Sequence, residues 1–142
     1  MTDAEWGALL TSLKVATIAT VVFLPFGIGA GWLLARNQTK WGAFFEALVM
    51  LPLVLPPVVT GYLLLAVFGR GGPIGRFFIE FAGVEFAFNW KGASLAAGIV
   101  AFPLMARSMK AAFEGVPKRL EDAAKTLGAT RWQVFWKVSL PL

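Results

Sequence analysis

The chain has 142 residues and a formal net charge of +5, and 58% of its residues are hydrophobic while only 15% are charged. Soluble domains have roughly 45–50% apolar and about 25% charged residues, so this composition, with a mean hydropathy of +0.71, indicates a membrane protein. The sequence contains no cysteine and no histidine, which excludes disulfides, thiolate or His-ligated metal sites and Ser-His-Asp catalysis. We therefore expect no catalytic residue, no metal site and no cofactor bound by this chain.

Three apolar segments are candidates for membrane spans. Val15–Ala35 and Ala47–Phe68 are uncharged over 21 and 22 residues, and a helix needs about 20 residues to cross the hydrocarbon core. Gly92–Ala106 has only 15 uncharged residues, but it becomes long enough if Lys91 and Arg107 extend to opposite headgroup layers. The expected fold is all-α and integral to the membrane. The predicted spans are 12–35, 46–69 and 90–110.

The basic residues predict an orientation. With three spans, nine of them fall on one side and four on the other, and the side richer in Lys and Arg faces the cytoplasm. The N-terminus is then outside and the segment after the third span is inside. If the second span were two spans separated at its prolines, the N-terminus would move inside and the tail would stay there. We assign the charge to this orientation and not to nucleic acid binding. The four outer residues are Lys14, Arg70, Arg76 and Lys91.

Glycines and prolines mark the first two spans. Gly27 and Gly31 have GxxxG spacing, which inside an apolar span indicates close helix packing and not a dinucleotide-binding loop. Pro52, Pro56 and Pro57 interrupt the second span, where each removes a backbone hydrogen bond. These prolines form either a packed kink or a broken backbone that lines a cavity.

The segment between the second and third spans is predicted to lie outside. Residues 69–75 have the glycines and proline of a turn, and residues 76–88 carry five phenylalanines together with Glu80 and Glu85. Because the two acids disfavour a crossing, we expect this part to lie in the membrane interface. Arg70, Arg76 and Lys91 either guide an anion or contact headgroups.

The tail after Gly115 predicts two short helices. Pro117 suits a first helical turn, and Gly128 lies where a left-handed residue ends a helix, which gives a helix over 117–128. Glu121 and Lys125 are spaced as an i,i+4 ion pair. Thr130 begins a second helix over 131–140 with a capping box, and Pro141 limits it. The apolar face of the first helix consists of Leu120, Ala123, Ala124 and Leu127.

The tail also carries a family signature. Asp122, Ala123, Ala124, Gly128, Val138, Leu140 and Pro141 have the spacing of the pattern E-A-A, three residues, G, nine residues, I, one residue, L-P. This pattern resembles bacterial ABC importer permeases, with Asp122 in place of Glu and Val138 in place of Ile. The segments LPLVLPPVVTGY (51–62), FGRGGPIG (68–75), AFPLM (101–105) and LGA (127–129) are similar to molybdate permeases, and sulfate or thiosulfate permeases are the nearest alternative.

The resemblance implies a type I ABC importer transmembrane domain in the inner membrane, with alternating access and a coupling helix on the cytoplasmic face. It implies three partners besides lipid: ATPase subunits that hold ATP-Mg, a second permease copy, and an oxyanion-binding protein outside. No GxxxxGK(S/T) loop occurs, in agreement with ATP binding to another subunit. The implied ATPase-coupling residues are Glu121, Asp122, Ala123, Ala124, Leu127, Gly128, Val138, Leu140 and Pro141. The implied pathway residues are Pro52, Pro56, Pro57, Thr60 and Gly61.

Two further expectations complete the sequence-based interpretation. A membrane-anchored interaction protein without transport activity is the alternative from another class. Permeases of this kind normally continue with further spans after the L-P motif, so we expect the sequence to be part of a longer permease.

Overall fold

A computed structural model describes residues 2–37 and 39–142, and these contain helices and no strand. The all-α prediction is therefore confirmed. The helices in chain order are α1 (Asp3–Arg36), α2 (Lys40–Val54), α3 (Pro57–Phe68), α4 (Pro73–Ala82), α5 (Trp90–Gly115), α6 (Lys118–Thr126) and α7 (Arg131–Val134), and α7 continues as a π-helical segment, Phe135–Ser139. By length and composition α1 and α5 are each able to cross a membrane, and α2 with α3 make a third crossing if the bent pair is one span.

The centre of the fold is the packing of α1 along α5. The two helices run in the same direction, because Lys14 lies over the ring of Trp90 near their beginnings while Gly31 meets Met109 near their ends. A Cβ atom on Gly27 would lie 2.6 Å from the Met105 sulfur. The GxxxG prediction of close helix packing is confirmed, since side chains at these positions would push the helices apart.

The second apolar segment is two helices and not one. Helix α2 ends at Val54, α3 begins at Pro57, and their axes differ by 106°. Leu55 has φ −70° and ψ 141°, the extended conformation that a following proline favours. Pro57 stands in the first turn of α3, where a missing N–H costs nothing. The helix is thus broken at Pro56 and Pro57, while Pro52 lies inside α2; whether the break lines a pathway stays a prediction.

Helix α4 lies in the predicted interfacial segment. Pro73 begins the helix and Gly83 ends it with a left-handed φ of 62°. The rings of Phe77 and Phe81 stack with centroids 4.7 Å apart and both are exposed. Arg76 and Glu80 lie one turn apart on a different side of the helix, so α4 is amphipathic, as an element lying in an interface requires.

Candidate functional site

The candidate site is the pair of short helices that follows α5. The backbone of Gly128 has φ +86° and closes α6, with its N–H donating to the Lys125 carbonyl at 2.9 Å. The next N–H, of Ala129, donates to the Ala124 carbonyl at 3.0 Å. The predicted left-handed glycine at the end of this helix is confirmed. It fixes the angle at which the chain leaves α6 and enters α7.

Helix α7 begins with the predicted capping box. The Thr130 hydroxyl accepts from the Gln133 N–H at 3.3 Å, and the Gln133 side chain accepts from the Thr130 N–H at 2.9 Å. After Val134 the helix widens, and the Leu140 N–H donates to the Phe135 carbonyl at 2.9 Å. Such five-residue π turns are rare and recur at functional sites. The sequence predicted a regular helix here and gave no signal for the wider turn.

Helix α6 has a mainly apolar face that is exposed on the surface of the chain. Leu127 is 89% exposed and Leu120 is 46% exposed, and Ala123 lies exposed between them on the same face. Ala124, one turn after Leu120, is half-buried at the edge of this face. Three members of the predicted apolar face are therefore exposed, and the fourth is partly covered.

The inward side of α6 carries a buried carboxylate. Glu121 is 5% exposed, and its Oε1 accepts from the Ser139 hydroxyl at 2.6 Å and from the Arg36 guanidinium. The predicted Glu121–Lys125 pair is wrong, because Lys125 instead donates to Asp122 at 3.0 Å. Glu121 was predicted among the ATPase-coupling residues; its side chain is buried and does not lie on the exposed face of α6, and its role in coupling stays a prediction.

An apolar base supports the π-helical segment that continues α7. Ala35, Phe113 and Phe135 form a buried cluster against which Trp32 and Met109 pack. The rings of Trp32 and Phe135 meet edge to face with centroids 5.4 Å apart. Since Trp32 lies on α1 and Phe113 on α5, the cluster seats the π-helical segment on the ends of both long helices. The π-helical segment is thereby packed on the α1–α5 pair.

The remaining predicted coupling residues are less enclosed. Asp122 is exposed beside Lys125, and Val138 is half-buried. Leu140 and Pro141, which follow the π-helical segment, are exposed. The structure therefore brings the predicted set together around α6 and α7, but only part of it forms an outward surface.

The predicted pathway residues lie away from the tail, around the break between α2 and α3. Pro56 and Pro57 are exposed, Pro52 is half-buried within α2, and Thr60 is buried with its hydroxyl 3.4 Å from the Pro56 carbonyl. Gly61 borders an open, mostly apolar cleft of about 600 Å³ between α3 and the start of α5. Their role in a pathway stays a prediction.

The four basic residues that were predicted to lie outside are mostly engaged in interactions within the chain. Arg70 donates to both carboxylate oxygens of Glu85, with Nη2–Oε2 at 3.1 Å. The hydrogen bond from Arg70 lowers the pKa of Glu85, and the same bond raises the pKa of Arg70. Lys14 lies 3.8 Å from the centroid of the Trp90 ring. Lys91 also lies over that ring, at 5.8 Å, so three of the four cations are engaged within the chain.

Comparison with known proteins adds to this geometry. Residues 24–142 match the model of a family described as binding-protein-dependent transport system inner membrane component. The chain is 52% identical over all of its 142 residues to the molybdenum transport system permease protein ModB of Escherichia coli K12, covering 62% of that protein. It is 45% identical over 138 residues to the ModB of Haemophilus influenzae, covering 60% of it.

A third relative is named for a different cargo. The sulfate transport system permease protein CysW of Synechocystis is 36% identical over 134 residues, which are 94% of this chain and 48% of that protein. The chain thus spans about three fifths of the length of the two molybdenum permeases.

Proposed function

Because the chain belongs to the family of binding-protein-dependent transport system inner membrane components, we propose that it is permease sequence of an ATP-driven importer and that α6 is where an ATPase subunit docks. The observation that carries the proposal is the outward face of α6. It exposes Leu120, Ala123 and Leu127 on a helix that is fixed from behind. Small and apolar side chains on a rigid helix suit insertion into a groove on a partner.

The proposed cargo is molybdate or tungstate. The support is the similarity to two molybdenum permeases, which is higher than the similarity to the sulfate permease. Molybdate, tungstate and sulfate are tetrahedral dianions that differ mainly in size. We therefore assign the selective step to an external oxyanion-binding protein that delivers the cargo. A sulfate importer is the second candidate, favoured by the similarity to the Synechocystis relative.

The proposed mechanism is alternating access. ATP binding closes two partner ATPase subunits, the docked α6 helices of two permease copies approach each other, and the permease pair opens outward to accept cargo. Hydrolysis then resets the pair. The apolar base seats the π-helical segment on α1 and α5, and Glu121 of α6 is hydrogen-bonded to Ser139 of that segment, so we expect a displacement at the docking helix to move these packed elements as a body. The orientation that suits this mechanism has the beginning of α1 outside and α6 in the cytoplasm, where basic residues predominate.

Co-purification with the ATPase tests the docking role. The chain is expressed within its full permease together with a candidate ATP-binding subunit, and Gly128→Asp is compared with wild type. We expect wild type to retain the ATPase and the variant to lose most of it, because a side chain at φ +86° strains the turn by about 1 kcal/mol and the added charge faces the partner.

The structure offers a matched control for that variant. Gly83 also has a left-handed backbone, with φ +62°, and like Gly128 it has nothing within 4 Å of a Cβ, but it ends α4 far from the tail. Gly83→Asp imposes the same kind of strain and charge and is expected to keep the ATPase. Equal retention in all three proteins would refute the docking role of α6.

A transport assay separates the two cargo candidates. The permease, its ATPase and the binding protein are reconstituted in vesicles, and ATP hydrolysis is measured with molybdate, tungstate or sulfate. Stimulation by the first two and not by sulfate is expected. Stimulation by sulfate alone would move the assignment to a sulfate importer and leave the permease function intact.

A further inference from the structure

A buried ion pair and a serine hydroxyl together connect three elements that are distant in sequence. Arg36 is the last residue of α1, Glu121 lies on α6, and Ser139 ends the π-helical segment. Glu121 and Arg36 are 85 positions apart in the chain. Their side chains are 7% and 17% exposed, so the pair is largely shielded from water.

This pair is more enclosed than the other ion pairs. The Lys110–Glu46 pair, 2.8 Å long, connects α5 with α2 but leaves 22% and 34% of its side chains exposed. The Lys125–Asp122 pair lies within α6 and leaves 48% and 69% exposed. Only the Arg36–Glu121 pair, among those in the described residues, connects α6 with a long helix.

Stability alone does not account for such a pair. Removing two charges from water is costly, and apolar residues of similar volume often serve as well or better at a buried position. The apolar base beside the pair already seats the π-helical segment, which carries Ser139, on α1 and α5. Moreover, the Arg36 Nε is buried and has no hydrogen-bond partner among the described residues, so the pair leaves a desolvated donor there. What a directional ion pair adds to an apolar contact is a fixed register between the two elements.

We propose that Arg36, Glu121 and Ser139 form the joint that carries movement of the docking helix into α1. The inference rests on the proposed function and deepens it, because it names positioning residues that act between the docked ATPase and the membrane helices. Apolar contacts permit sliding, while the hydrogen bonds from Arg36 and Ser139 to one carboxylate oxygen hold α6 at one position relative to α1. Since α1 packs closely on α5 through Gly27 and Gly31, displacement of its end moves both helices.

The test measures cargo transported per ATP hydrolysed. The full permease, its ATPase and the binding protein are reconstituted in vesicles with molybdate, and wild type is compared with Glu121→Gln and Arg36→Gln. We expect both variants to retain the ATPase and to hydrolyse ATP, but to transport about tenfold less molybdate per ATP, a typical size for coupling between two sites. The double variant R36E/E121R restores opposite charges and is expected to recover part of the loss.

A second carboxylate provides the matched control. Glu114 lies near the end of α5 and is 49% exposed, with Lys110 at 3.9 Å, so Glu114→Gln removes a nearby charge without touching the joint. It is expected to transport like wild type. An unchanged transport-to-ATP ratio in Glu121→Gln would overturn the proposal, and so would an equal loss in Glu114→Gln.

A spectroscopic measurement separates a transmitting joint from a merely stabilising one. The chain has no cysteine, so spin labels can be attached to cysteines introduced at the exposed positions Leu33 on α1 and Thr126 on α6, with a cysteine-free ATPase. On ATP binding, wild type is expected to keep one narrow distance distribution, while Glu121→Gln broadens it. Equal distributions would overturn the proposal.

The failure of this inference and that of the proposed function are distinguishable. If Glu121→Gln loses the ATPase already at purification while wild type keeps it, the pair only shapes the docking surface and the joint is refuted. If wild type itself binds no ATPase, the docking function fails first and the joint with it.

Discussion

The exposed leucines of α6 allow a quantitative test of docking. Leu127 has 89% of its surface exposed, so nearly all of it is available to be buried by a partner. Full burial of a leucine side chain contributes about 1.5–3 kcal/mol. We expect Leu127→Ala to cost about 2 kcal/mol of binding free energy, which corresponds to an ATPase affinity weaker by about thirtyfold.

Leu120 gives a graded comparison on the same face. It is 46% exposed, so about half as much of its surface remains to be buried. We expect Leu120→Ala to cost about 1 kcal/mol, or roughly fivefold in affinity. The ATPase is titrated against the permease in lipid nanodiscs, and the dissociation constants of wild type and variants are compared.

A distant leucine serves as the control. Leu13 in the first half of α1 is 66% exposed. Leu13→Ala removes the same atoms from a site away from α6. Its ATPase affinity is expected to equal that of wild type, and the melting temperature of all three variants is expected to change little because the side chains are exposed. Unchanged affinity in Leu127→Ala, or the larger effect in Leu120→Ala, would refute the assignment of this face to docking.

Three further predictions concern packing and pH. Gly31→Leu should lower the free energy of unfolding in detergent by about 1–3 kcal/mol through overpacking, because a Cβ there would lie 2.8 Å from a backbone nitrogen of α5, whereas Gly29→Ala, with nothing within 4 Å, should be neutral. Phe135→Ala should cost about 3–5 kcal/mol, since the ring lies in the apolar base, and a thermal melt equal to wild type would contradict this. Arg70 lowers the folded-state pKa of Glu85 below its ordinary 4.5. The stability from this pair is therefore present above pH 4.5 and is lost as the pH falls through the lowered pKa. The melting temperature of Glu85→Gln should fall less on acidification than that of wild type, and an equal fall would contradict the pair.

Local signals predicted the ends of the short helices correctly. Gly128 and the Thr130 capping box act within one turn of the chain, so the residue types alone fix the backbone. The GxxxG prediction also succeeded, because small residues at that spacing leave few alternatives to close packing. The proline cluster signalled a disturbance in the second apolar segment, but the 106° angle between α2 and α3 depends on contacts that no local rule describes.

The pairing of Glu121 shows where sequence reasoning fails. The i,i+4 rule favoured Lys125, because both residues lie on one helix and such pairs are worth about 0.2–0.5 kcal/mol. Arg36 is 85 positions away, and its proximity follows only from the parallel packing of α1 on α5. The local preference is small enough that this tertiary contact overrides it.

The parallel packing of α1 on α5 has a consequence for the biosynthesis of the protein. The two helices that form the centre of the fold are separated by α2, α3 and α4, so α1 enters the bilayer well before its partner has been synthesised. A single apolar helix is stable there, because its backbone hydrogen bonds are internal and its side chains are solvated by lipid. The face of α1 that carries Gly27 and Gly31 then stays uncovered until α5, with Met105 and Met109, has been inserted. The order of synthesis thus leaves this face of α1 temporarily without its partner. Until α5 has been inserted, other membrane helices with small residues can pack against the same face.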